Sequence, residues 1–198
     1  AALAAHARAN LPPCAGCPLI PVPYAEQLVA KRRELLAALQ PVLPGEEQVG
    51  ETVGSQRLRG YRNQARLVFR RMSRGGTSHV GLGLYAPGTH RVLHIPHCPI
   101  QPRRMNEICQ TVTRLAEEMQ FTIYDEREAT GVLRYLAIRC DRERKHFLVS
   151  IVVGEDVGRP LRLLAEGLRE AHPDVVGVTL HLNSRHSNVI FAGEDAWT

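Results

Sequence analysis

The sequence predicts an α+β fold, an antiparallel sheet with helices packed mainly on one face. Three observations predict it. Several stretches alternate apolar and polar residues, the period of a half-buried strand. Two segments, one after Pro102 and one after Pro160, instead repeat apolar residues at helical spacing. The order is β-β-β-α-β-β-α-β-β, runs of strands interrupted by helices, which favours α+β over a strictly alternating parallel fold.

The elements follow in chain order. Residues 1 to 23 are rich in Pro and Cys and read as an irregular lead-in. From Tyr24 to Leu39 the pattern is helical, with Leu28, Leu35, Leu36 and Leu39 on one face, and Pro41 and Pro44 end it. These observations suggest a first region of residues 1–45 and a second of residues 46–198. From Gly60 to Met72 a strand is expected. Tyr61, Asn63, Ala65, Leu67 and Phe69 share one side of it, and Arg62, Gln64, Arg66, Val68 and Arg70 the other. The Arg74-Gly75-Gly76 turn leads to a second strand, His79 to Tyr85, and Pro87-Gly88 to a third, His90 to Ile95. The helix opened by Pro102 places Met105, Ile108, Cys109, Val112, Leu115, Ala116 and Met119 inward. Strands are expected at Val132 to Arg139 and His146 to Val153. A helix from Pro160 turns Leu161, Leu164, Ala165 and Leu168 inward. Val175 to Leu182 and a short Asn188 to Phe191 complete the sheet.

At 198 residues, 44% apolar and 23% charged, the chain can bury a core without disulfide or metal staples. No apolar run reaches the length of a membrane span, and the first thirteen residues lack a secretory pattern. A cytoplasmic protein without a membrane partner is the expectation, and five cysteines there are free, catalytic or metal-bound.

Charge is where the chain departs from average. Between Glu51 and Glu107 lie 55 residues with no Asp or Glu and ten Arg, while the remainder sums to −5. A GC-rich genome explains Arg in place of Lys. It does not explain the missing acids. Such asymmetry points to a polyanion, and the arginine stripe of the first strand suits phosphate oxygens. The candidate contacts are Arg62, Arg66, Arg70, Arg71 and Arg74; a merely solvated sheet face is the alternative.

Cys14-Ala15-Gly16-Cys17 is a C-x-x-C without the second pair that a zinc ribbon requires. Cys17-Pro18 and Cys98-Pro99 share the Cys-Pro step found at iron–sulfur ligands. From the residues alone, a shared metal and three unconnected thiols stand level. Cys109 and Cys140 read as core or strand-end thiols. No G-x-G-x-x-G, P-loop or G-x-S-x-G is present, so no catalytic residue and no S-adenosyl-L-methionine site is assigned.

Four stretches resemble the RNA (uracil-5-)-methyltransferases. They are Cys14-Ala15-Gly16-Cys17-Pro18 with Tyr24, Gln27, Leu28 and Lys31; Gly60-Tyr61-Arg62-Asn63-Gln64-Ala65-Arg66-Leu67; His94 through Ile100 with Asn106; and Leu133-Arg134-Tyr135 with Asn183 and Asn188 through Phe191. The resemblance runs from Cys14 to about Gly193. It implies the central portion of such an enzyme, of the iron–sulfur branch that modifies 23S-type ribosomal RNA rather than tRNA. It also implies that Cys14, Cys17 and Cys98 ligate a [4Fe–4S] cluster. The family's first cluster cysteine would fall at position 8, which is Arg8, so the fourth ligand is not found. In the parent enzyme a cysteine attacks C6 of uracil and C5 accepts the methyl group of S-adenosyl-L-methionine. That Rossmann-like methyltransferase domain would follow this segment, leaving the segment inactive alone. A stand-alone, non-catalytic RNA-binding module is the alternative.

Overall fold

A computed structural model describes residues 17–42, 45–185, 189–191 and 194–197. The chain divides into two compact units, Ala1–Leu58 and Arg59–Thr198.

In the first unit the helix α1 spans Tyr24–Leu39, where the leucine spacing places it. None of its residues is buried, so polar ties hold the surrounding chain. The Gln27 amide donates to the carbonyls of Leu19 (2.9 Å) and Val22 (2.8 Å). Arg32 donates to the Val49 carbonyl at 2.8 Å, and Thr52 to the Leu28 carbonyl at 3.0 Å.

The second unit is built on a seven-stranded sheet. Its strands are β1 (Gln64–Arg74), β2 (Thr77–Tyr85), β3 (Val92–His94), β4 (Leu133–Cys140), β5 (Phe147–Val153), β6 (Val175–Leu182) and β7 (Glu194–Trp197). Across the sheet they run β3-β2-β1-β4-β5-β6-β7. Helices α2 (Arg103–Glu118) and α3 (Arg159–Ala171) complete the unit. The α+β expectation holds. Gly75 and Gly76, at φ +59° and +83°, make the two-residue turn that joins β1 to β2. At Gly83 a side chain would meet the Leu93 carbonyl oxygen at 2.1 Å, so glycine is what lets β3 lie alongside β2.

One core lies between the sheet and the two helices. Ala65, Leu67 and Phe69 of β1 alternate inward, joined by Leu136 and Ile138, by Val149, Ile151 and Val153, and by Leu180. Met105, Ile108, Cys109, Val112 and Ala116 of α2 and Leu161, Leu164, Ala165 and Leu168 of α3 cover them. The three fully buried leucines of α3 contribute about 1.5–3 kcal/mol each. Arg104 grips Asp174 through both oxygens, each at 2.6 Å, which fastens α2 to the turn before β6. That guanidinium holds the Asp174 carboxyl below its usual range.

Two expectations need correction. The sheet is not wholly antiparallel: β5 and β6 run parallel, because α3 crosses between them and returns the chain to the same edge. The last strand is Glu194–Trp197, not Asn188 to Phe191. Residues Val189 to Phe191 form no strand, since the Asn183 amide takes the Val189 and Ile190 carbonyls that a ladder would use. Asn188 lies outside the described residues.

Candidate nucleic-acid interface

With the helices on one face, β1 presents its other residues on the opposite one. Arg66 and Arg70 are exposed there. The register sets Arg66 beside Ala137, Arg70 beside Gly81 and Gln64 beside Arg139. Beyond Ala137 come Ser150 and Thr179, joined by a 2.8 Å hydrogen bond from the Thr179 hydroxyl. Glycine, alanine, serine and threonine thus floor the centre of the face, and the arginines stand above it. Arg62 precedes β1 and is exposed too; its N–H donates to the Ile100 carbonyl at 2.9 Å.

The structure sorts the arginines that the charge count pooled. Arg104 is tied to Asp174 and Arg103 to Glu107. Arg71 shares the parity of Phe69 and lies on the helix side. It donates to Glu117 at 3.0 Å, and the same carboxylate accepts the Val80 N–H at 2.5 Å. Among the described residues, no ion pair involves Arg62, Arg66 or Arg70. Arg74 ends β1. The expected contacts therefore divide between two faces, with Arg62, Arg66 and Arg70 on or beside the open one.

Further side chains complete this face: Phe191 and Arg134, from the stretches that carry the resemblance, and His181, Tyr85, Tyr124, Glu126 and His90, which the sequence did not single out. Phe191 lies with its ring centroid 5.8 Å from the Arg66 guanidinium and 5.3 Å from the His181 ring, edge to face. Arg134 is 3% exposed, yet its charge sits over the Tyr124 ring at 4.1 Å and near Tyr135 at 5.6 Å. Its Nη1 donates to the carbonyls of Asn183 and, at 3.0 Å, Arg185. Tyr85 donates to Glu126, which His90 also meets at 2.8 Å. Burial raises the Glu126 carboxyl, but these two partners outweigh it and hold the carboxyl low. Burial and the Glu126 bond push the Tyr85 hydroxyl upward. The cavity among Tyr85, Tyr124, Glu126 and Arg134 is about 20 Å³, room for a water and not for a nucleoside.

Of the expected cluster ligands, Cys14 lies outside the described residues. Cys17 belongs to the first unit and is half-buried; Cys98 belongs to the second and is buried. Asn106 fixes the Cys98 backbone, accepting its N–H at 2.8 Å and donating to its carbonyl at 3.1 Å. Cys109 packs in the core, and burial pushes its thiol up to about 12. Among the described residues, no three His, Cys, Asp or Glu side chains are grouped to hold a metal. Nor is any helix there long and apolar enough to cross a membrane.

No family model matches the sequence. The "uncharacterized RNA methyltransferase" of Nostoc sp. is 31% identical over 185 residues, covering 91% of this chain and 39% of that protein. Nine tenths of this chain is thus similar to part of an RNA methyltransferase. A Synechocystis relative bearing the same description is 30% identical over 186 residues, and one from Staphylococcus epidermidis is 28% identical over 178. Against these RNA methyltransferases the chain spans about two fifths of their length. Its fold is that of a segment of the Pyrococcus abyssi tRNA (uracil-54, C5)-methyltransferase, solved in complex with S-adenosyl-L-homocysteine. The TM-score is 0.67 at 21% identity, over 94% of this chain and 40% of that one.

Proposed function

We propose that this chain is the RNA-binding central portion of an S-adenosyl-L-methionine-dependent RNA (uracil-5-)-methyltransferase. The reading rests chiefly on one observation: the acid-free stretch puts Arg62, Arg66 and Arg70 on or beside one open sheet face, with no ion pair to any of them among the described residues. The likeness to RNA methyltransferases and to the SAH-bound neighbour adds the chemistry. Adenosyl-methionine binding and methyl transfer belong to the parent enzyme, and this segment is inactive alone. Ribosomal RNA is the proposed substrate, on the strength of the cysteine pattern, and the cytosol the proposed place. The test is titration of the chain with RNA at increasing salt. Affinity is expected to fall linearly on logarithmic axes. Salt-insensitive binding, or none, sinks the reading.

The [4Fe–4S] cluster on Cys14, Cys17 and Cys98 is a second part of the proposal and rests on the sequence motif. After anaerobic purification, about four irons with matching sulfide per chain are expected. Zinc, or no metal, removes the cluster and leaves the RNA reading intact.

A further inference from the structure

We propose that Phe191 is a stacking step for an unpaired RNA base, with Arg66 beside it to hold the neighbouring phosphate. This deepens the RNA-binding reading and rests on it. Phe191 is 42% exposed, although phenylalanine is among the residues most often withdrawn from water. It stands on the arginine-bearing face, not in the core. Its ring is flanked rather than covered, by His181 edge to face and by the Arg66 guanidinium.

What sets this ring apart from a stray surface apolar residue is how its backbone is held. Asn183 is fully buried, and its amide donates to the carbonyls of Val189 (2.8 Å) and Ile190 (3.0 Å), the two residues before Phe191. Its side-chain oxygen accepts the Arg185 N–H at 3.2 Å. The buried Arg134 guanidinium closes the same turn by donating to the Asn183 and Arg185 carbonyls. Burying a carboxamide and a guanidinium is unfavourable unless bonds are made, and the bonds made here, by the Asn183 amide and the Arg134 Nη1, fix one turn. A platform so fixed loses little freedom when a base lands on it.

The ligand follows from geometry. A base inside a duplex has both faces occupied, so only an unpaired base can lay a face on the ring. Guanidinium groups at Arg66 and Arg70 supply the phosphate contacts that a splayed strand presents.

The test compares the full chain with Phe191→Leu and Phe191→Trp, using a single-stranded oligoribonucleotide and a duplex of equal length. Leucine keeps bulk and loses the π face. It is expected to weaken single-strand binding about 5- to 100-fold, with duplex affinity and salt slope unchanged. Tryptophan should restore or tighten binding, with added fluorescence that the single strand quenches. Single-strand affinity unchanged in Phe191→Leu overturns the stacking step while the RNA reading stands. So does an equal loss for both RNAs, which marks a structural role. No binding of either RNA by the unaltered chain removes both.

Discussion

Replacing Arg66 and Arg70 together with alanine is expected to lower RNA affinity about 10- to 100-fold near 0.1 M salt. The slope of log affinity against log salt should flatten by about 1.4. Each guanidinium that meets a phosphate releases counterions, and each contact on a single strand carries about 0.7 of slope. Both residues are exposed on one face of β1, four residues apart, so a single strand lying along β1 meets both. Arg71→Ala is the matched comparison. It removes the same charge one residue further on, but from the helix side, where Arg71 is paired with Glu117. It should leave the slope nearly unchanged and cost some stability. Fluorescence anisotropy at four or five salt concentrations separates the cases. An unaltered slope in the double variant would mean that the strand face is not the contact.

The contrast between Arg70 and Arg71 shows what the sequence could and could not convey. Alternation was legible: Ala65, Leu67 and Phe69 are buried, and Arg66 and Arg70 exposed, as the period of two requires. That same period puts Arg71 with Phe69, a sorting that a count of arginines passes over. Helices α2 and α3 begin and end close to where apolar spacing and proline place them, because burial on one stripe dictates both; α1 keeps to its leucine spacing although none of its residues is buried. Strand direction is another matter. An alternating strand reads alike forwards and backwards, so the parallel pairing of β5 with β6 had no local signal. The tie from Arg134 to Asn183 spans 49 residues of sequence, and only the folded sheet brings the two together. Arg134, Asn183 and Phe191 stood in the resembling stretches, but that distance hid how the first two build the turn which carries the third. It also hid why Val189 and Ile190, apolar and strand-like in composition, do not pair as a strand.

Asn183→Ala is expected to destabilise the second unit by about 2–4 kcal/mol, out of proportion to the few atoms removed. The deletion empties a fully buried position and strands part-buried partners. The Val189 and Ile190 carbonyls lose their donor, and the Arg185 N–H loses its acceptor. Arg134 still donates to the Asn183 backbone carbonyl, so the turn keeps one anchor and the loss stays short of complete unfolding. Arg114→Ala serves as the contrast. Its pair with Glu118 is 55% exposed on each side, and such surface pairs contribute about 0–1 kcal/mol. Urea denaturation of both variants measures the difference. If Asn183→Ala behaves like Arg114→Ala, the turn is not anchored at Asn183, and the platform beneath Phe191 loses its foundation. If it destabilises as expected, it should also weaken binding of single-stranded RNA more than of duplex, because the ring it positions is released before the arginines of β1 are disturbed.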